Sequence, residues 1–283
     1  MNELKIKGHS GCSLNVIEGS DGRLLVEKGC KESYIDRLRK QQEKQQSAYE
    51  RILNGTYKDI NIPCSEWKDG KILMDYIHSK SFVEHFERAA VNDIKRMANT
   101  LINYIDTEIC LSDIKTVDAN EFIKKVESVQ KTCEKNELID MQRIVKYFTL
   151  CKAKILSFDN ISIPVGVCHG DLTFSNVLFT DSGMYLIDFL DSFIETPLQD
   201  IVKIRQDSKY EWSTMMTDQK YNVAHVKMVL DYIDNTISSY FEKYDFYKYY
   251  DMLQYINILR ILPYVKEKNV YERICEILDS IKL

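Results

Sequence analysis

The chain has 283 residues, 45% of them hydrophobic and 29% charged, so it can bury a core without disulfide or metal staples. A formal net charge of −5 excludes a sequence-independent grip on nucleic acid, which needs a basic surface, but leaves room for a local anion site. The eight cysteines form no CxxC pair, no apolar run reaches the ~20 residues of a membrane span, and the polar opening has no secretory core; together these predict a soluble, cytoplasmic protein with reduced thiols and no structural zinc. Length alone favours two domains or lobes.

Glycines crowd the start: Gly8, Gly11, Gly19, Gly22 and Gly29 are half of the total of ten. "KIKGHSGCSLNVIEGSDGRLLVEKG" predicts strand, glycine-containing loop, strand, turn and strand, with Ser20-Asp21-Gly22 as the hairpin turn. Residues 33–53 hold no Gly or Pro and are rich in Gln, Lys, Glu and Arg, which predicts one exposed helix. "CSEWKDGKILMDYI" follows as a second hairpin turning at Asp69-Gly70. Residues 1–77 therefore read as a small sheet with one helix. Residues 78–283 read as mostly helical, over 81–106, 119–131 and 136–157, then again from Pro197 to the end. Short strands around a loop interrupt them over 165–188. A change of composition near 77–80, not a flexible tether, marks the boundary.

The interruption carries the chemistry. "VCHGDLTFSNVLF" spaces His169-Gly170-Asp171 and Asn176 as a kinase catalytic loop does, with Gly in place of Arg. "LIDFLDSF" then places Asp188-Phe189 where a kinase keeps its metal-binding turn. Phosphoryl transfer needs a carboxylate beside the attacking hydroxyl and oxygen ligands for Mg²⁺ on the nucleotide phosphates. One loop bearing Asp171 and Asn176, opposed by a turn bearing Asp188, meets both needs. His169 is expected to shape the loop by bonding backbone near the metal turn. Upstream, the loop containing His9, Ser10 and Gly11 offers backbone N–H groups to phosphates. Lys28 ends the third strand, where a Lys pairs the α- and β-phosphates and needs a helix carboxylate; Glu43 is the first candidate and Glu50 the second. The backbone of Asp75 and Ile77, in the strand leading out of the sheet, is placed to bond an adenine or guanine edge.

With these motifs the chain resembles the aminoglycoside phosphotransferase and choline kinase family. That family's H-G-D-x-x-x-x-N loop, hydrophobic-Ile-Asp-aromatic turn and P-x-x-D correspond to residues 169–176, 186–189 and 197–200. The resemblance covers nearly the whole chain, the 81–157 segment only in general character. It implies an α+β, two-lobed protein-kinase-like fold: a small N-terminal antiparallel sheet lobe with one helix, residues 1–77, binding nucleotide, and a larger helical lobe, residues 78–283, holding catalytic loop, metal turn and acceptor site. It implies ATP or GTP as donor, Mg²⁺, and a small hydroxylated acceptor such as a sugar, sugar derivative or amino alcohol. It casts Asp171 as base, Asn176 and Asp188 as metal ligands, Lys28 as phosphate ligand and Asp200 as a structural support of the loop. Two departures stand out: the glycine-rich loop is sparse in Gly, and the acid often found two residues after the metal Asp is Leu190, with Asp191 one place later. The rival readings are a catalytically silent nucleotide-binding scaffold, disfavoured because Lys28, Asp171, Asn176 and Asp188 are all present, and a protein kinase, disfavoured because "SFIETPLQD" is too short for an activation segment.

"INILRILPYV" sets Arg260 inside an apolar run stopped by Pro263. A guanidinium among Ile and Leu must find a partner: an internal carboxylate such as Asp191 or Asp200, or an anionic group on the acceptor, read together with Tyr264 one turn later on the same helical face. The aromatic residues over 240–255 read as core and inter-helix packing ahead of the alternative, an aromatic acceptor pocket. The sequence leaves the acceptor, the purine and the oligomeric state open.

Overall fold

The computed structural model describes residues 12–283 and the backbone of the strand Leu4–Ile6. His9, Ser10 and Gly11 lie outside the described residues. In chain order the strands are β1 (Leu4–Ile6), β2 (Ser13–Glu18), β3 (Leu24–Gly29), β4 (Ile60–Asn61), β5 (Ser65–Lys68), β6 (Lys71–Asp75), β7 (Asp113–Val117), β8 (Ile161–Val165), β9 (Val177–Thr180) and β10 (Gly183–Leu186). The helices are α1 (Ile35–Leu53), α2 (Phe82–Arg88), α3 (Val91–Cys110), α4 (Ala119–Cys133), α5 (Met141–Leu156), α6 (Pro197–Ser208), α7 (Trp212–Met215), α8 (Val223–Phe241), α9 (Tyr250–Leu259) and α10 (Lys268–Ser280). The fold is α+β, an antiparallel sheet with one helix followed by mostly helical chain. No helix among the described residues is long and apolar enough to cross a membrane.

Two compact units divide the residues. The first takes Met1–Thr107, His169–Ser192 and Met216–Val229; the second takes Glu108–Cys168, Phe193–Met215 and Leu230–Leu283.

In the first unit a five-stranded antiparallel sheet runs in the order β1-β2-β3-β6-β5. Both expected hairpins form. The first closes with Gly19 N–H on the Arg23 carbonyl at 2.8 Å. The second turns through Asp69 and Gly70, both with positive φ (50° and 77°), which fits a type I′ turn and explains the Asp-Gly pair. α1 packs on β5 and β6 through Leu38, Gln42, Gln45 and Ala48. The expectation of a simply exposed helix fails on this face: Gln42 and Gln45 are buried because their amides donate to the carbonyls of Ser65 (3.0 Å) and Pro63 (3.1 Å). A three-stranded sheet, β4-β10-β9, pairs the two residues of β4 in parallel with β10. The single helix expected over 81–106 is two. Ser81 opens α2 with a capping box to Glu84, Ala89 is extended, and α3 restarts behind an Ala90 N–H bond to Asp93.

The second unit is helical around one two-stranded antiparallel ribbon. β7 pairs antiparallel with β8, a partner for β8 that the sequence reading missed. α5 starts at Met141, later than the expected 136, because Asp140 caps it by accepting from the N–H groups of Gln142 and Arg143. α9 is buried along nearly its whole length and packs on α5, α6 and α10.

Candidate active site

The hairpin of β9 and β10 carries the motif. Its open end pairs Val177 with Leu186, so the residues just beyond, Asn176 and Ile187, face each other, and the Ile187 N–H donates to the Asn176 carbonyl at 3.1 Å. One hairpin thus sets both the loop of residues 169–176 before it and the turn of residues 187–190 after it. The loop packs through Phe174, which is buried against Phe86 at 4.8 Å between ring centroids; Phe179 packs on the same ring at 5.6 Å.

Loop and turn approach at backbone distance. Gly170 has φ +88°, and a Cβ there would lie 2.1 Å from the Leu190 carbonyl oxygen. Only glycine allows this approach. The Leu190 N–H donates to the His169 carbonyl at 3.0 Å. His169 completes the joint: Nε2 lies 2.9 Å from the Ile187 carbonyl, and Nδ1 accepts the Asp171 N–H at 3.2 Å. Nδ1 is therefore the acceptor and Nε2 carries the proton. Burial drives the His169 pKa down to about 4, so the ring is neutral in the physiological range, and it packs on Phe189 at 4.2 Å.

Asn176 orients Asp171. Its amide nitrogen donates to the Asp171 carbonyl (2.8 Å) and to Asp171 Oδ2 (3.0 Å). The amide is thereby fixed with its oxygen turned away from Asp171. Asp188 sits at φ +61°, a conformation Asp tolerates better than most residues and one that marks a constrained turn. Its Oδ1 accepts from Lys28 Nζ at 2.9 Å. Lys28 is buried on the sheet and has its second partner in Gln41 Oε1 at 3.4 Å.

The carboxylate expected opposite Lys28 is therefore not Glu43. Glu43 is exposed and accepts from Arg39 one turn back at 3.2 Å, and Glu50 accepts from Gln46 at 3.5 Å. The reason is helical phase. Two residues turn a helix by about 200°, so Gln41 and Glu43 cannot face the same way. The residues that do face the turn are Arg37, Gln41 and Lys44, at i, i+4 and i+7. Arg37 donates to Asp191 at 3.1 Å, Gln41 accepts from Lys28, and Lys44 donates to the Leu190 carbonyl at 2.7 Å. Sequence reasoning passed over this polar stripe, although its 3.6-residue period was there to be read.

β6 ends at Asp75, and the Tyr76 N–H is spent on the Leu24 carbonyl at 3.1 Å. Alternation turns the Asp75 peptide the other way, past Ser65, where pairing with β5 ends at Met74, and Ile77 lies in irregular chain beyond the strand. In the second unit, Asp200 is buried in the first turn of α6. Arg260 caps the end of α9, over the Phe193 ring at 5.8 Å. Asp191, weighed as its partner, pairs with Arg37 instead. Tyr264 is exposed on a separate 3-10 turn, Leu262–Tyr264, so the shared helical face expected for Arg260 and Tyr264 does not exist: α9 stops at Leu259, ahead of Pro263.

The sequence model of the phosphotransferase enzyme family, APH, matches residues 87–224, which span the loop, the turn and the start of α8. No curated protein sequence matches the chain. Among solved structures, a glucosamine kinase superposes with a TM-score of 0.59 at 9% identity, covering 98% of this chain and 92% of that one. The ADP-bound aminoglycoside phosphotransferase APH(2″)-Ib superposes with a TM-score of 0.54 at 15% identity, covering 98% and 92%. An ethanolamine kinase from Plasmodium vivax superposes with a TM-score of 0.50 at 15% identity, covering 98% and 81%. Residues 87–224, just under half of the chain, match the phosphotransferase enzyme family over the loop and the turn, and the fold around them is similar to that of the kinases above, as expected of a phosphotransferase enzyme.

Proposed function

We propose that the protein transfers the γ-phosphoryl group of ATP or GTP to a hydroxyl of a sugar, sugar derivative or amino alcohol. The observation that carries this is the bonding of Asp171: a carboxylate fixed by the Asn176 amide, on a loop that only Gly170 allows to meet the metal turn. Asp171 accepts the proton of the acceptor hydroxyl as that oxygen attacks phosphorus. Lys28, held in the sheet beside Asp188, is placed to exchange that carboxylate for the α- and β-phosphates. The peptide groups of Asp75 and Ile77 meet the purine edge, and His9, Ser10 and Gly11 cover the phosphates. His169 holds the loop in shape through backbone bonds, and Asp200 supports it. Residues 1–77 act as the nucleotide lobe and residues 78–283 as the catalytic and acceptor lobe, with Arg260 and Tyr264 on the acceptor side. The eight free cysteines fit a cytoplasmic enzyme.

Asp188 and Asn176 offer two hard oxygen donors, too few to hold a divalent ion alone and suited to share Mg²⁺ with nucleotide phosphates. Bound there, Mg²⁺ supplies charge neutralisation of the transferring phosphoryl group. Glucosamine kinase and ethanolamine kinase among the relatives in fold support an acceptor bearing an amine beside its hydroxyl.

The test is a screen of sugars, amino sugars and amino alcohols with ATP and with GTP, run on the native protein and on Asp171→Asn. One acceptor class is expected to turn over. Asp171→Asn is expected to lose about two to four decades of kcat without a change in Tm, the range of a general base. Turnover that survives Asp171→Asn, or a folded protein silent on every acceptor with either nucleotide, overturns the reading.

A further inference from the structure

Pairing of β2 with β3 ends at Ser13 opposite Gly29, and the next residue on each strand is a cysteine. Carried one step past its last pair, the antiparallel register sets Cys12 across from Cys30. Residues directly opposite in such a ladder have Cα atoms about 4.5–5.5 Å apart and point their side chains to one face. Both separations fall within the roughly 4.4–6.8 Å that a disulfide spans. Cys12 and Cys30 are both partly exposed, so a small oxidant can reach them, whereas Cys133, Cys151, Cys168 and Cys275 are buried. Cys30 follows β3 two residues after Lys28, and its thiol lies within electrostatic reach of both Lys28 and Cys12. Burial, and then the neighbouring Cys12, push the Cys30 thiol above its ordinary value, against the opposing pull of Lys28, so the two sulfurs sense each other.

We infer that Cys12 and Cys30 form a cross-strand dithiol, a modification site that closes to a disulfide with a small disulfide oxidant such as glutathione disulfide. The thiolate of one cysteine attacks a sulfur of glutathione disulfide, forming a mixed disulfide and releasing one glutathione thiolate. The second cysteine, deprotonated, attacks the protein-side sulfur and releases the second glutathione. Two protein thiols are oxidised, one glutathione disulfide is reduced to two glutathione molecules, and no other reactant is needed. Closure fixes the ends of β2 and β3 beside Lys28. The inference stands on strand register, so it holds or fails independently of the proposed reaction.

The experiment treats the reduced, folded full chain with glutathione disulfide at pH 8, blocks remaining thiols by alkylation, and maps peptides by mass spectrometry without reduction. The expected product joins the peptides of Cys12 and Cys30, lighter by two hydrogens than the pair of reduced peptides. In Cys30→Ser the first step has no successor, and Cys12 accumulates as the glutathione adduct; in Cys12→Ser the adduct sits on Cys30. Exposed Cys64 and Cys110 report that the oxidant is active, because they become glutathione adducts on separate peptides. If those two react while Cys12 and Cys30 remain free, or each carries its own glutathione, the pairing is wrong. A cross-link that forms only in denaturant overturns it equally.

Discussion

Two ion pairs in this protein look alike by residue type and differ in construction. Arg205 and Asp234, in the second unit, form a two-pronged bridge with both N–O distances at 2.9 Å. Ser208 donates to the same carboxylate at 3.0 Å, Tyr247 accepts from the guanidinium, and the Tyr250 ring lies 4.5 Å beneath it. Side-chain exposure is 7% and 13%. Lys28 and Asp188, in the first unit, share one bond, and exposure is lopsided: 4% for the Lys, 32% for the Asp. Every prong of the first pair is spent, so it serves as scaffold. The second is left thin on its carboxylate side, where water, a cation or a phosphate can take over either partner. Hydrogen-bond saturation, more than burial, separates the structural pair from the exchangeable one.

That contrast is measurable as stability. Arg205→Met is expected to have the largest effect, about 3–5 kcal/mol, because it strands the nearly buried Asp234 carboxylate. Chemical denaturation reads it, and retention of native stability would put the two pairs in one class. The His169 joint comes next. Its folded pKa is about 4 against an ordinary 6.5, so between those values the unfolded chain binds a proton that the folded chain refuses. Stability must then fall as pH drops through that window, by at most about 1.4 kcal/mol per pH unit, and be unaffected by this group above pH 6.5. Melting scans of the native protein and His169→Gln over that range should show the slope flattened in the variant. Lys28→Met should have the smallest stability effect, within about 1 kcal/mol, since Asp188 keeps its access to water. Its signature is kinetic instead: nucleotide KM rises and kcat falls together. A large stability loss in Lys28→Met, comparable with that of Arg205→Met, would erase the distinction.

What could be read from the chain was what depends on near neighbours. The two hairpin turns were legible because Asp-Gly pairs satisfy positive φ locally. The spacing of His169, Gly170, Asp171 and Asn176 was legible because one loop carries them all, and Asp188 because one hairpin separates it from Asn176. The partners of Lys28 were not. Gln41 and Asp188 reach it from 13 and 160 residues away, and the choice between Glu43 and Gln41 rests on the rotation of α1 against the sheet, which its buried glutamines set. The break between α2 and α3 was hidden too, since no Gly or Pro marks it. It lies where Phe82 and Phe86 turn onto Phe174, so distant packing decides it. β4 is two residues long and acquires its strand character only from β10.

The parallel pairing of β4 with β10 has a consequence for synthesis. The first unit draws on chain up to Thr107, then on His169–Ser192 and Met216–Val229, so about sixty residues must be translated between its opening stretch and the hairpin that pairs with β4. At ~5–20 residues per second this takes roughly 3–12 seconds, long compared with the microseconds in which hairpins and helices form. Through that interval Ile60 and Asn61 have no strand to pair with, and Lys28 has no carboxylate from the turn. The nascent first unit waits on the ribosome with β4 unpaired beside a complete five-stranded sheet and with an unmatched inward charge, the state in which a chaperone has most to do.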